Sequence, residues 1–120
     1  MKRFLKIKII SDDRGSLGVI EKLIPYKIKR IFYLFNLKKI RGEHYHKKNR
    51  LALLCLNGEC DIQKKKKNYK KTYKLENQKK ILFIHPYEWH SIHFKKKNTI
   101  IIAFASQYYD KRDYYKISVK

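Results

Sequence analysis

A chain of 120 residues and 14.7 kDa has room for one domain and none for a second core. Hydrophobic residues make up 43%, which excludes wholesale disorder, and the longest uncharged stretch, Asn98 to Tyr109, is too short to span a membrane. The formal net charge of +21 invites a polyanionic partner, yet 25 of the 31 cations are Lys and only 6 are Arg. Solvated lysines on outer faces account for that balance without a nucleic acid.

Met1-Lys2-Arg3 opens with positive charge, but Lys then alternates with apolar residues and no signal segment forms, so the expected location is cytoplasmic. Phe4 to Ile10 predicts a first strand, and Asp12-Asp13-Arg14-Gly15 a turn. Ile28 to Phe35 and Leu51 to Leu56 predict further strands. Asn57-Gly58 predicts a hairpin joining Leu51–Leu56 to Glu59–Gln63. Lys64 to Lys67 reads as a solvated hairpin tip. Ile81 to Ile84 is another strand, and Thr99 to Ala105 is apolar enough to predict a central strand covered on both faces, in part by a partner subunit. Cys55 and Cys60 read as small buried hydrophobes, reduced in the cytoplasm. Many short strands and few helical candidates predict a single all-β domain over residues 1–120, a sandwich or barrel.

The histidines carry the chemistry. In a strand, His44 and His46 at i and i+2 share a face, while His90 and His93 fall on opposite faces. His44, His46 and one of the later pair therefore converge inside a barrel, and His85 reads as a turn residue before Pro86. An H-x-H pair, then a Gly-bearing hairpin, then a Pro turn with a further His is the cupin arrangement. In metal-binding cupins a Glu follows the second His by four residues. Arg50 stands there, and a cation repels a divalent ion, so no metal is expected. A metal on His44, His46 and His90 alone is the competing reading. Paired histidines in a dry pocket suit proton transfer near neutral pH.

Several blocks occur together across the chain: Asp12-Asp13-Arg14-Gly15-Ser16-Leu17, Ile28 to Tyr33, Arg41 to Lys47, Leu56-Asn57-Gly58, Pro86 to His90, and Ala105 to Asp110 with Asp113-Tyr114. In this order they resemble the nucleotide-sugar 3,4-ketoisomerase family, the WxcM-like cupins. The resemblance implies a small jelly-roll cupin, dimeric with an exchanged N-terminal strand and needing no cofactor. It implies a dTDP-4-keto-6-deoxyglucose 3,4-ketoisomerase that moves a ketone from C4 to C3. The product would feed an aminotransferase making a 3-amino-3,6-dideoxyhexose for a surface glycan such as the lipopolysaccharide O-antigen. On this resemblance His44 is the base and His46 relays or donates the second proton. His90, Arg41, Arg14, Arg30 and Tyr33 bind the substrate, a dTDP-linked 4-keto-6-deoxy sugar. A guanidinium fork suits a diphosphate bidentately, which Lys does not. Trp89 reads equally as a stacking platform for the base or as core.

The pattern departs from the family at three positions and in a shorter C-terminus that ends in lysines. Tyr45 stands between the histidines where Ala is frequent, Phe32 replaces the first Tyr of a pair, and Leu51 replaces a Gln. The rival readings are a sugar-nucleotide 3,5-epimerase-like cupin, which pairs a catalytic His with an Asp on a longer chain, and a basic β-barrel binding nucleic acid. A third is a non-enzymatic metal cupin. The family blocks favour a sugar nucleotide over nucleic acid or membrane as the partner.

Overall fold

The computed structural model describes residues 3–76 and 78–116. The described residues form eleven strands: β1 (Phe4–Lys6), β2 (Lys8–Asp12), β3 (Gly15–Val19), β4 (Arg30–Leu34), β5 (Arg41–His44), β6 (Leu51–Asn57), β7 (Glu59–Lys66), β8 (Tyr69–Glu76), β9 (Lys80–Ile84), β10 (Trp89–Phe94) and β11 (Ile100–Ala105). Their helical content is one 3₁₀ turn, Lys111–Asp113, and no helix among them is long and apolar enough to cross a membrane.

Every ladder is antiparallel. A five-stranded sheet runs β1-β9-β6-β11-β4, a four-stranded sheet runs β5-β10-β7-β8, and β2-β3 stands as a separate hairpin. The two larger sheets face each other as an all-β jelly roll. Alternation builds the interior: Cys60 and Ile62 of β7 and Ile101, Ala103 and Ala105 of β11 point inward and meet Leu53, Leu75, Leu82 and Ile92. Each fully buried Leu or Ile contributes roughly 1.5–3 kcal/mol of hydrophobic stabilisation before conformational entropy is counted.

Four expectations change. First, Phe4 to Ile10 is two strands. Ile7 is buried between β1 and β2, which belong to different sheets, and its N–H donates to Lys79 O. Second, Asn57-Gly58 turns a corner between the two sheets instead of closing a hairpin. β6 pairs with β9 and β11, whereas β7 pairs with β10 and β8. Gly58 has φ +86°, and a Cβ there would lie 2.3 Å from Thr99 Oγ1, so the corner uses the backbone freedom that a hairpin turn would also use. Third, the hairpin tip lies at Lys67-Asn68, and Lys64 is fully buried. Fourth, Tyr33 alternates with Phe32 and Leu34 onto the outer face of β4 and is 63% exposed, so this chain does not turn it toward the histidines.

The strand at Thr99 to Ala105 is second from the sheet edge. Its outer face is partly covered by the chain itself, where Ile20, Ile24 and Tyr26 pack over Leu54, Phe83 and Phe104, and Tyr26 Oη donates to Phe104 O at 2.7 Å. β1 pairs with β9 of its own chain, Phe4 opposite Leu82. Beyond this cover, Ile31, Tyr33 and Phe35 remain exposed.

Candidate active site

Three imidazoles converge at one end of the interior. His44 ends β5, His46 follows it two residues later, and His90 lies opposite His44 in the β10–β5 ladder. The ring centroids of His44 lie 4.8 Å from His46 and 4.9 Å from His90, and those of His46 and His90 are 6.0 Å apart. Convergence follows from the strand period: Tyr45 turns the other way and stacks on Tyr115 at 5.1 Å. His93 likewise points away from His90 and pairs its Nε2 with Ser91 Oγ at 2.8 Å.

Each ring is held from behind. His44 Nδ1 donates to Gly42 O at 2.9 Å, His46 Nδ1 to Asp113 O at 2.8 Å, and His90 Nδ1 to Glu88 O at a longer 3.4 Å. A carbonyl only accepts, so these bonds set the Nδ1–H tautomer and leave Nε2 of each ring with its lone pair. Gly42 serves this geometry directly. It has φ +85°, and a Cβ there would lie 3.1 Å from His90 O and 3.4 Å from His90 Cδ2.

Burial favours the uncharged form of each ring. Desolvation is the largest cause that lowers the pKa of His44 and of His46, and it pushes His90 down to about 3. The neighbouring imidazoles and Arg41 act in the same direction on His44 or its partners, and the backbone carbonyls oppose them. The three ligand atoms lie within 4.8 Å of one another, so His44, His46 and His90 are also the residues that could hold a metal ion.

The histidines line a cavity of about 110 Å³ together with Arg30, Phe32, Arg41 and Tyr114. Arg41 is exposed at its mouth. Arg30 reaches Tyr114 Oη at 3.4 Å, and its buried Nε has no partner among the described residues, a donor beside the cavity. Arg14 does not line it. This residue sits at the tip of the β2–β3 hairpin, 86% exposed in its side chain and bound to Asp12 at 2.6 Å. The structure thus gathers His44, His46, His90, Arg41 and Arg30, and leaves Arg14 and Tyr33 outside the cavity of the single chain.

Sequence reasoning gave no role to Tyr114 or Asp113. The Tyr114 ring lies 4.8 Å from His44 and 4.7 Å from His46. Asp113 places it there: its carboxylate accepts from the N–H groups of Lys47, Lys48 and Asn49, which pins the C-terminal segment beneath His46. The two residues were visible as a family block, but nothing local said that they cross the molecule to meet residues 44–49.

Comparison with known proteins agrees with this geometry. The family model FdtA, described as WxcM-like, C-terminal, matches residues 1–118. The chain is 38% identical over 116 residues to a TDP-4-oxo-6-deoxy-alpha-D-glucose-3,4-oxoisomerase of Aneurinibacillus thermoaerophilus, covering 93% of this chain and 84% of that one. It superposes with TM-score 0.90 and 34% identity on a mutant of the 3,4-ketoisomerase QdtA from Thermoanaerobacterium thermosaccharolyticum in complex with TDP-4-keto-6-deoxyglucose, covering 95% of this chain and 86% of that one. An epimerase of Mycobacterium tuberculosis, RmlC, superposes with TM-score 0.78 at 12% identity, over 92% of this chain and 66% of that one, a likeness of fold alone. The chain belongs to the WxcM-like FdtA family.

Proposed function

We propose that the protein is a dTDP-4-keto-6-deoxy-D-glucose 3,4-ketoisomerase, moving the ketone from C4 to C3 by proton transfer through an enediol. The observation that carries this reading is the convergence of three imidazoles and one phenol in a single cavity, where burial pushes each imidazole toward its neutral form. The relatives support the substrate class, since one is named for this oxoisomerase activity and another was solved with TDP-4-keto-6-deoxyglucose.

The reaction breaks one C–H bond at C3 and makes one at C4, with no net oxidation. His44 Nε2, a free lone pair on a neutral ring, takes the C3 proton. The electron pair forms the C3–C4 double bond, and the former ketone oxygen becomes an enediolate oxygen. Tyr114, with Arg30 donating to its oxygen, faces that charge as a donor. The enediolate oxygen at C4 takes up a proton to become a hydroxyl while the C3 hydroxyl gives one up as its ketone forms, and C4 receives a proton from the His44–His46 pair, which holds the one taken from C3 and exchanges it with solvent. His90 holds or polarises a sugar oxygen. At the rim, Arg41 suits the diphosphate. Lys29 over Tyr108 and Arg30 over Tyr109 flank exposed aromatic faces on which a base can stack. The 3-keto product is the class of carbonyl that an aminotransferase consumes.

His46 Nδ1 lies 3.8 Å from Asp113 Oδ2, the kind of pair a 3,5-epimerase would use. Here the imidazole donates to the Asp113 carbonyl, and the carboxylate is occupied by three backbone N–H groups. Isomerisation therefore remains the better reading. A second copy of the chain is the proposed cover for Ile31, Tyr33 and Phe35, and exchange of β1 would preserve its pairing with β9 in such a dimer. Two free, buried thiols support a reducing, cytoplasmic location.

Proton NMR of dTDP-4-keto-6-deoxyglucose with EDTA-treated protein in D₂O tests the reading. A 3-keto species with deuterium gained at C4 supports it. Exchange at C3 and C5 without ketone migration would instead identify an epimerase.

A further inference from the structure

The run Lys64 to Lys67 contains one residue with no place in the chemistry above. Lys64 is only 1% exposed, on a strand whose alternate residues face the interior. It lies directly opposite His90 in the β7–β10 ladder, so the two side chains stand next to each other on the inner face. Its Nζ donates to Phe83 O at 2.5 Å and to Glu88 Oε1 at 3.1 Å. Burying an ammonium is costly, and these bonds, with the Glu88 carboxylate, compensate it.

Glu88 is the link. Its Oε1 also accepts from His85 N–H at 2.7 Å, so the Lys64–Glu88 pair clamps both ends of the turn His85-Pro86-Tyr87-Glu88. That turn carries both contacts to the histidines. The Glu88 carbonyl accepts from His90 Nδ1, and Tyr87 N–H donates to His46 O at 2.7 Å. Tyr87 has φ +69°, a conformation that an L side chain adopts only when its surroundings hold it there.

We propose that Lys64 is a positioning residue for the isomerase site: through Glu88 it fixes the turn that sets the tautomer and orientation of His90 and anchors the backbone of His46. The role rests on the isomerase reading for its consequence in turnover, but not for its structural readout. A merely space-filling residue could be replaced by an apolar one. This one holds a carboxylate whose own backbone carbonyl orients the imidazole.

The test uses two variants and two readouts. Lys64→Met leaves the Glu88 carboxylate buried without its cation. Lys64→Met combined with Glu88→Leu removes both charges, and replacement of a buried ion pair by apolar residues commonly preserves folding. The tautomer of His90 is read from long-range ¹H–¹⁵N correlations of the imidazoles, assigned with His90→Gln. In the unmodified protein His90 is expected as the Nδ1–H form. In the folded double variant a mixed or Nε2–H population is expected, with kcat down about 10- to 100-fold and KM within about twofold. A folded double variant with an unchanged His90 tautomer and unchanged kcat would overturn the proposal. If the unmodified protein shows no isomerase activity, the function fails, while the tautomer comparison still decides the positioning role.

Discussion

His46 Nδ1 donates to the backbone oxygen of Asp113 at 2.8 Å, a bond between residues 67 positions apart in the chain. The same Asp113 satisfies the backbone N–H groups of Lys47, Lys48 and Asn49 through its carboxylate. One buried residue thus closes the C-terminal segment over the cavity and aims a histidine into it.

Asp113→Ala is expected to destabilise the protein strongly, because it leaves up to three N–H groups without their acceptor. Each orphaned buried donor costs about 1–3 kcal/mol, and partial access of water will offset some of that. Urea unfolding should show a loss of about 2–4 kcal/mol, accompanied by lower kcat from a mobile His46 and Tyr114. Unchanged unfolding midpoints would mean that the segment is held by other contacts.

His44→Asn removes the proposed base while keeping a polar group of similar size. Turnover of dTDP-4-keto-6-deoxyglucose should fall by about 10²–10⁴-fold, with the thermal midpoint nearly unchanged. Wild-type turnover in this variant would remove His44 from its role.

Tyr114→Phe deletes the phenol that meets Arg30 and faces the two histidines. Loss of one preorganised donor typically costs about 10²–10³-fold in kcat. Steady-state kinetics should show that loss in kcat with little change in KM. A change confined to KM would place Tyr114 in binding alone.

Acid should impair both activity and stability. A base must be neutral, and burial lowers the pKa of His44, so the acid limb of kcat/KM is expected below pH 6.5. For stability, the unfolded chain binds protons on His90 near 6.5, whereas the folded chain holds it down at about 3. Between these values the unfolded state carries more protons, so stability rises with pH and is lost as pH falls toward 3. The slope is at most about 1.4 kcal/mol per pH unit for each such histidine. Urea midpoints measured across this window should decline toward acid, less steeply in His90→Gln.

Gly42→Ala joins a strained φ of +85° to a close approach on His90. The added methyl pushes at His90 O and Cδ2 and disturbs the carbonyl that orients His44. An activity loss larger than the stability loss is expected, read by comparing kcat with the thermal midpoint. Equal activity would show that the turn shifts without moving either ring.

The strand pattern was largely legible where both faces are covered and the run is continuously apolar. Leu51–Leu56, Ile81–Ile84 and Thr99–Ala105 each show the β-rich runs that appear as β6, β9 and β11. β8 was not recognised, because its alternation is hidden among lysines and only Tyr73 and Leu75 are buried. The burial of Lys64 was equally hidden: a lysine in a lysine run carries no local sign that a carboxylate 24 positions later will pair with it.

By itself the sequence determined the all-β class, the shared face of His44 and His46, and the family blocks, because strand periodicity and motif order are properties of neighbouring residues. The tertiary structure alone decided that Asn57-Gly58 turns between sheets, that Lys64 is buried against Glu88, and that Tyr114 enters the cavity while Tyr33 faces away. Those outcomes depend on ladder register and on which distant carbonyl or carboxylate meets a buried donor, and a one-residue change of register would reverse each side chain's face.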